Sequence, residues 1–315
     1  MYRRGILVCS IFSFVISAIL SACQKEVDTP NFVENQVPVV NAGTSIQITL
    51  PVDSTILSGS AVDQDGSIVA YLWSQVSGNA GTQIVNPGSP STKVKGLQVG
   101  TYIFQLMATD NKGATGVDTA LVIVSPSPIQ TLTLQPANNL NEVYIFSSSP
   151  NSSTSGIHQL TIAAWTVGGI SNYWRAFIKF DFSSISSTAT ILNAKLSLYA
   201  TPAPSQGNGV DAHFGTSNAC YIQRVTSNWV TSGINWNNQP STVTANQVVI
   251  PQSTSPFQNE IEMDVTSLVR DMMTNGNNGF GIKLQNEVIY NVRQYASSFE
   301  NNSSIRPKLV ITYQP

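Results

Sequence analysis

The sequence predicts an all-β protein built of β-sandwich domains, and three observations predict it. Short runs in which apolar and polar residues alternate recur along the chain, and clusters of Gly, Pro, Asn and Asp separate these runs. Only 10 % of the 315 residues are charged, so Ser, Thr, Asn and Gln cover much of the surface. Alternation with a period of two buries one face of a strand and leaves the other in water. The length allows two cores at roughly 100–200 residues per domain.

The first 22 residues predict a signal peptide. Arg3 and Arg4 precede an apolar run over residues 6–20, which is shorter than the ~20 residues of a membrane-spanning helix. A bare transmembrane anchor is the alternative. The run ends in Leu20-Ser21-Ala22-Cys23, which resembles the lipobox of bacterial lipoproteins. That resemblance implies cleavage before Cys23, acylation of Cys23, and an anchor of several acyl chains. The implied location is the bacterial outer membrane, facing outward, with residues 23–37 as a tether.

The cysteine count agrees with this interpretation. Cys9 leaves with the signal peptide and Cys23 carries lipid, so Cys220 alone remains and an internal disulfide is not expected. Cys220 lies in an apolar strand pattern, which indicates a buried small hydrophobic residue rather than a catalytic thiol.

Residues 38–124 predict a first small sandwich. The expected inward-facing residues lie on four strands: Ile46, Ile48 and Leu50; Val69, Tyr71 and Trp73; Tyr102, Phe104, Leu106 and Ala108; and Leu121 and Ile123. The segment resembles a PKD domain, an immunoglobulin-like module of extracellular proteins. The resemblance is carried by VNAG at 40–43, LSGSA at 57–61, DQDGSI at 63–68, YLW at 71–73, GTY at 100–102 and ATDNKG at 108–113. It implies a spacer with Trp73 in its core. The DQDG run is interpreted as a turn rather than a calcium loop, since it lacks the later carboxylate of an EF-hand.

Residues 125–130 contain Ser-Pro-Ser-Pro and predict a linker. Proline favours an extended, semi-rigid joint, so we expect the second domain to be held away from the first.

Residues 131–315 predict a jelly-roll β-sandwich with one short helix. Strand patterns centre on Ala176, Leu196, Ile282 and Ile311. For the helix, Asp264 is the expected N-cap, and Asn275-Gly276 is the expected stop. Its apolar residues recur at helical spacing: Val265, Leu268, Val269 and Met272.

This segment resembles the DNRLRE family, also classed as carbohydrate-binding module family 96. The resemblance is carried by RAFIKFDF at 175–182, ILNAKLSLY at 191–199, WVTSGINWNNQP at 229–240, DVT at 264–266, GFGI at 279–282, ASSFE at 296–300 and PKLVI at 307–311. Two departures are visible. The family often has Glu where this chain has Thr231, and the opening segment 141–144 matches weakly.

The resemblance implies binding of polysaccharide, acidic glycans included. Sugar sites use aromatic faces and planar donors such as Arg. The candidate residues are Tyr173, Arg175, Phe177, Lys179, Tyr199 and Lys283. If their strands are neighbours, one sheet carries a basic, aromatic groove, to which Lys195 also belongs. The alternative is that they are ordinary exposed residues, with Arg175 paired to a carboxylate. Trp229 and Trp236 are favoured as core or loop-clamp residues.

No catalytic residues are expected. Glu260, Glu262 and Asp264 share a strand face by their spacing, but a solvated or calcium-binding edge explains them more simply than a glycosidase pair. His158 and His213 are expected in Gly/Ser/Asn-rich loops, and no hydrolase or metal-ligand motif appears. No cofactor is required; a structural Ca²⁺ is compatible with the fold, and the metal ligands are unknown. The formal net charge of −2 argues against a nucleic-acid partner. Two alternatives to a non-catalytic polysaccharide-binding protein remain. The first is an adhesion protein that binds other proteins, and the second, less favoured, is a polysaccharide-degrading enzyme.

Overall fold

The structure is a computed structural model that describes residues 33–136, 141–154, 156 and 158–315. Cys23 and the expected signal peptide lie outside the described residues. Within those residues, no helix is both long enough and apolar enough to cross a membrane.

The first domain is a sandwich of short strands. They are β1 (Val39–Asn41), β2 (Ile46–Thr49), β3 (Ser54–Ser58), β4 (Ser60–Val62), β5 (Ile68–Ser77), β6 (Gln83–Ile84), β7 (Ser91–Lys95), β8 (Gly100–Asp110) and β9 (Thr115–Ser125). One sheet has the order β2-β9-β8-β5 and faces β3-β7-β6, while β1 pairs with β4. Strand β2 joins β9 in parallel, and the other pairs are antiparallel. Trp73, Tyr102, Phe104 and Leu106 fill the core between the sheets, which confirms the expected role of Trp73.

Two expectations for these strands are wrong. The buried residues of β9 are Ala120, Val122 and Val124, whereas Leu121 and Ile123 lie on the other face. The segment is apolar at every position, so periodicity could not decide which face turns inward. Val69 is 62 % exposed, because a register shift between β5 and β8 at this point turns its side chain away from the core.

The second domain is a larger, curled sandwich. Its elements are β10 (Gln130–Leu134), β11 (Glu142–Phe146), β12 (Gln159–Val167), β13 (Ile170–Ile178), β14 (Thr190–Leu198), β15 (His213–Phe214), β16 (Cys220–Val225), β17 (Thr242–Ile250), β18 (Glu260–Asp264), α1 (Thr266–Asn275), β19 (Phe280–Leu284), β20 (Asn291–Ala296), a short 3₁₀ turn (Ser303–Ile305) and β21 (Lys308–Gln314). The smaller sheet has the order β10-β21-β14-β18. The larger has the order β15-β20-β12-β13-β19-β16-β17, with β11 paired to β13. The prediction of an all-β chain with two sandwiches and one short helix is confirmed.

The main core lies between the two sheets and α1. Ala176, Ile178, Ile282 and Leu309 are buried there as the alternation predicts. Cys220 is also fully buried, and burial raises the pKa of its thiol to about 12.

Helix α1 begins one residue later than expected. Its N-cap is Val265 and not Asp264, although the Asp264 carboxylate accepts a hydrogen bond from the Thr266 amide at 2.9 Å. Hydrogen bonds from Thr266, and then the hydrogen bond from Lys195, lower the pKa of the Asp264 carboxyl to about 2. The four predicted apolar residues are buried, and the helix ends at Asn275 before Gly276, whose φ is 97°.

The linker is tied to both domains. The Ser127 hydroxyl donates to the Leu50 carbonyl at 2.6 Å, and the Ser127 carbonyl accepts from Gln314 Nε2 at 2.9 Å. Ser127 is buried. The linker, predicted to be an extended, semi-rigid joint, is thus hydrogen-bonded to one residue of each domain.

Candidate functional site

The candidate site lies where three neighbouring strands of the larger sheet turn their outer faces to solvent. Strand β13 pairs with β19, and β19 pairs with β16. Phe177, Gly281 and Gln223 stand directly opposite one another across the three strands. Residues opposite in register share a sheet face, so Arg175 and Lys283, each two residues along, lie on this face too.

We call the resulting depression the Arg175–Lys283 groove. It encloses about 290 Å³ of space that is open to solvent on one side. Its lining comes from β13, β16, β17, β19 and the loop before β17: Arg175, Phe177, Gln223, Gln239, Pro240, Thr242, Gly281, Ile282 and Lys283. The groove therefore offers several side-chain donors above a small apolar floor.

Gly281 keeps the floor of the groove open. A Cβ atom added at this position would lie 3.0 Å from Thr242 Cγ2 and 3.2 Å from Phe177 Cε1. A side chain here would push on both walls and fill the space between them.

Arg175 is held from three sides at the edge of the groove. Its Nε and Nη2 donate to the two carboxylate oxygens of Glu287 at 2.9 and 3.0 Å, and its Nη1 donates to Gln239 Oε1 at 2.9 Å. The guanidinium carbon lies 4.7 Å from the Trp236 ring centroid. The alternative in which Arg175 pairs with a carboxylate is thus what the structure shows.

Lys283 has no such partner. Among the described residues it belongs to no ion pair, and its side chain is half-buried. Beside it, the Thr242 hydroxyl donates to Gln223 Oε1 at 2.7 Å, and Gln223 Nε2 donates to Gln247 Oε1 at 2.7 Å. The groove thus has one uncompensated positive charge next to a fixed polar wall.

Phe177 is not an exposed aromatic platform. It is 3 % exposed and packs in a second, smaller core with Val143, Ile145, Val225 and Ile234. The loop between β16 and β17 covers this core, because its two tryptophans lie against it. Such burial makes Phe177 a wall of the groove and not a stacking surface for sugar.

The two tryptophans of that loop act as clamps. Trp229 Nε1 donates to the Asn278 carbonyl at 2.7 Å. Trp236 stacks near Tyr173, with ring centroids 6.5 Å apart and planes 23° apart. Tyr173 therefore stands beside the groove, next to Arg175, and Trp236 is shared between Tyr173 and Arg175.

Two of the candidate residues lie elsewhere. Lys179 follows the end of β13 and lines a separate depression with Asp181 and Asn277. Tyr199 follows β14, a strand of the smaller sheet, and Lys195 on that strand pairs with Asp264 at 3.1 Å. The condition for a single groove is therefore met by β13 and β19 but not by β14. Alternation identifies a strand's faces but not the sheet to which it belongs.

The acidic residues of β18 do not share a face. Glu262 has a φ of 54°, and the pairing of β14 with β18 shifts register beside it. Glu260 therefore turns inward and pairs with Arg293 Nη2 at 2.6 Å, while Glu262 and Asp264 are exposed. Within the described residues, no group of three His, Cys, Asp or Glu side chains is placed to hold a metal ion.

His213 is not a loop residue either. It lies on β15, is buried, and its Nε2 is 2.8 Å from the Gln258 carbonyl oxygen. Burial, together with the nearby positive charge of Arg293, lowers the pKa of His213 to about 4. His158 is exposed beside a cleft lined by Tyr144, Ser205 and Glu300.

Sequence reasoning missed several residues of the groove. Gln239 and Gly281 lie inside the WNNQP and GFGI segments, whose match to the family gives no role to either side chain. Gln223, Thr242 and Glu287 carry no local signal, since Glu287 meets Arg175 across 112 positions of sequence.

Comparison with known proteins separates the chain into the same two parts. The model of the K319L-like PKD domain matches residues 42–124. The dyslexia-associated protein KIAA0319-like protein of Mus musculus is 43 % identical over 90 residues, which is 29 % of this chain and 9 % of that protein. This chain thus covers a small part of the curated relatives that it matches.

Two solved structures are also similar to this chain. The solution structure of the PKD domain from KIAA 1837 protein is 42 % identical, covers 28 % of this chain and 85 % of that chain, and has a TM-score of 0.26. A structure described as the basis for the promiscuous specificity of carbohydrate-binding modules from the β-sandwich superfamily is 16 % identical. It covers 89 % of this chain and 97 % of that one, with a TM-score of 0.22.

The second domain is assigned by a family model that spans more than half of the chain. Carbohydrate-binding module family 96 matches residues 133–313, which include every residue of the Arg175–Lys283 groove. No catalytic family is identified for either part. The chain therefore belongs to carbohydrate-binding module family 96 and carries a K319L-like PKD domain in front of that module.

Proposed function

We propose that this chain is a non-catalytic lipoprotein of the bacterial outer membrane that captures polysaccharide in the Arg175–Lys283 groove. The observation that carries the proposal is the position of the Lys283 ammonium. It stands beside an open floor at Gly281 and belongs to no ion pair among the described residues. An ammonium with free donors is suited to a carboxylate or hydroxyl of a sugar.

The rest of the groove supports positioning of a glycan. Arg175 is fixed by Glu287, Gln239 and Trp236. A glycan that contacts its remaining surface would therefore cost little further side-chain entropy. Its charge is offset by Glu287, which leaves Lys283 as the group that favours an acidic sugar. The proposed ligand is therefore a uronic-acid polysaccharide, with neutral glycans bound more weakly.

Binding of hexasaccharides tests the proposal. We would titrate residues 24–315 with uronic-acid and neutral oligosaccharides by calorimetry. Lys283→Ala is expected to weaken uronate binding about tenfold, the effect of one charge-assisted hydrogen bond. The matched control is Lys93→Ala, which removes an exposed Lys from β7 of the first domain. Absence of binding to every oligosaccharide by the folded chain would overturn the proposal, as would equal losses in both variants.

The anchor is tested separately. The lipobox-like sequence supports acylation of Cys23, with the PKD domain as a spacer between lipid and module. In a bacterial host given radiolabelled palmitate, the wild-type chain and a Cys9→Ser variant are expected to carry label, and Cys23→Ser to carry none. Label on the Cys23→Ser variant would remove Cys23 as the acylated residue.

Adhesion to protein is a second candidate, favoured by one feature of the first domain. Leu72, Met107 and Val117 stand side by side across β5, β8 and β9. Leu72 and Val117 are 45 % and 57 % exposed, so they form a short apolar row on the outer sheet face. Sedimentation experiments would support this function if the wild-type chain self-associates and Leu72→Asp abolishes that self-association. A wild-type chain that stays monomeric at all concentrations would exclude adhesion between copies of this chain.

A further inference from the structure

Three aromatic side chains from separate elements meet at the surface of the second domain. The Trp165 ring on β12 lies 5.8 Å from the Phe214 ring on β15 and 5.2 Å from the Tyr290 ring, with interplanar angles of 67° and 88°. Phe214 is 41 % exposed and Tyr290 is 54 % exposed, while Trp165 is half-buried. We call these three residues the aromatic platform.

Edge-to-face contacts hold the rings at fixed angles. Such pairs are favoured because the positive edge of one ring meets the negative face of the next. The two outer rings are thereby oriented by Trp165, whose inner side packs against the main core. The three rings therefore form one packed group through Trp165.

The backbone that presents Tyr290 is held in an uncommon conformation. Tyr290 has a φ of 69°, a region that side chains with a Cβ rarely adopt. The buried Asn291 fixes this turn, since its Nδ2 donates to the Val288 carbonyl at 3.0 Å and its Oδ1 accepts from the Ser217 amide at 2.6 Å. The strained turn therefore joins two loops and carries an exposed ring.

Gly215 allows the two loops to approach each other. Its φ is 99°, and an added Cβ would lie 2.2 Å from Asn291 Oδ1 and 2.4 Å from the Tyr290 carbonyl oxygen. Phe214 precedes this glycine directly. The close approach brings Phe214 and Tyr290 to the same ring, that of Trp165.

We propose that the aromatic platform is a second saccharide site, which binds the apolar C–H face of a neutral pyranose. The inference rests on the proposed function, because the family of the module makes sugar the relevant partner. The uncommon backbone conformation at Tyr290 costs the free chain stability and keeps a large ring in water, whereas it preorganises a stacking surface. The three rings bring no charge, so this site selects neutral sugar units, unlike the groove at Lys283.

Substitution of Tyr290 tests the site without disturbing the fold. Tyr290→Gly removes the ring and also relieves the positive φ, so its melting temperature is expected to equal or exceed that of the wild type. Its affinity for a neutral hexasaccharide such as cellohexaose or mannohexaose is expected to fall about tenfold. Phe214→Ala should give a similar loss, and Tyr290→Phe should retain binding.

The matched control and the outcomes separate the two proposals. Val288→Ala removes an apolar side chain that is 52 % exposed in the same loop and is expected to leave binding unchanged. Wild-type binding that persists in Tyr290→Gly and in Phe214→Ala, but is lost in Lys283→Ala, would overturn the aromatic platform alone. A wild-type chain that binds no oligosaccharide would overturn both proposals.

Discussion

The Arg175 guanidinium and the Glu287 carboxylate form a two-point ion pair, with Nε–Oε1 and Nη2–Oε2 distances of 2.9 and 3.0 Å. Both side chains are about three-quarters buried, with 26 % and 28 % of their surfaces exposed. The pair has two consequences. It orients Arg175 toward Gln239 and Trp236, and it cancels one of the two positive charges of the groove.

Glu287→Gln is therefore expected to strengthen binding of acidic sugar. The amide keeps one acceptor for Arg175 but removes the negative charge, so the groove becomes more positive. We expect affinity for a uronic-acid hexasaccharide to rise about threefold to tenfold in dilute buffer and the gain to shrink in high salt. Calorimetry at two ionic strengths measures both effects.

The control for that experiment is Asp53→Asn, which changes net charge equally from an exposed position of the first domain. A gain that also appears for Asp53→Asn, or one that salt does not reduce, would contradict the role of Glu287 in offsetting Arg175.

Gly281→Ala is expected to close the floor of the groove. The new Cβ meets Thr242 and Phe177 at 3.0 and 3.2 Å, tighter than ordinary contact. We expect a loss of about 1 kcal/mol in the free energy of unfolding and a larger, at least tenfold, loss of glycan affinity. Urea unfolding and calorimetry give the two values for one preparation. Gly88→Ala is the control, since its Cβ would meet only the Tyr71 carbonyl oxygen, at 3.9 Å. Unchanged glycan affinity in Gly281→Ala would place the ligand elsewhere.

Only part of the candidate site could be predicted from the sequence. Alternation predicted that Ala176 and Ile282 point into the core, because a period of two admits only two faces. It also placed Arg175 on the opposite face of its strand. It could not assign Tyr199 and Lys283 to their sheets, since strand order depends on pairings between distant segments. The burial of Phe177 depends on a loop, residues 226–241, whose path has no periodic signal.

Contacts between loops could not be predicted from the sequence. Gly215 and Asn291 are necessary for the position of Tyr290, yet in the sequence they read as ordinary turn residues. The bulge at Glu262 likewise turns Glu260 inward, and nothing in the alternation of β18 marks it. The sequence therefore predicted the layers of the fold and some members of the groove, whereas contacts between loops had to be observed.

Glu260 and Arg293 form a buried ion pair that is expected to matter for stability alone. Arg293 is 0 % exposed, and its Nη2 lies 2.6 Å from Glu260 Oε1. Glu260→Gln leaves the Arg293 charge without a charged partner, which should lower the free energy of unfolding by about 3–5 kcal/mol. Replacing both residues, Glu260→Leu with Arg293→Met, should recover most of that loss because no buried charge remains.

Urea unfolding of the wild type, Glu260→Gln and the double variant measures this coupling. Glycan affinity of the folded fraction is expected to stay unchanged, since neither residue lines the groove. A double variant no more stable than Glu260→Gln would show that the pair contributes more than charge compensation.

Glu142 and His213 are expected to give opposite dependences of stability on pH. Burial raises the pKa of Glu142 to about 7 from an ordinary 4.5, although hydrogen bonds from Ser297 and Ser298 partly oppose the shift. Stability from Glu142 is therefore present below pH 4.5 and is lost as the pH rises to about 7. The pKa of His213 is lowered from 6.5 to about 4, mainly by burial. Its contribution is present above pH 6.5 and is lost as the pH falls to about 4.

In the wild-type chain the two contributions nearly cancel between pH 4.5 and 6.5. Glu142→Gln leaves only the His213 contribution, so the free energy of unfolding should rise with pH over that range by up to about 3 kcal/mol. His213→Gln leaves only that of Glu142, so the free energy should fall by a similar amount. Urea unfolding at half-unit steps from pH 4 to 7.5 gives the three curves. Parallel curves for the wild type and both variants would show that neither group titrates differently in the folded and unfolded chains.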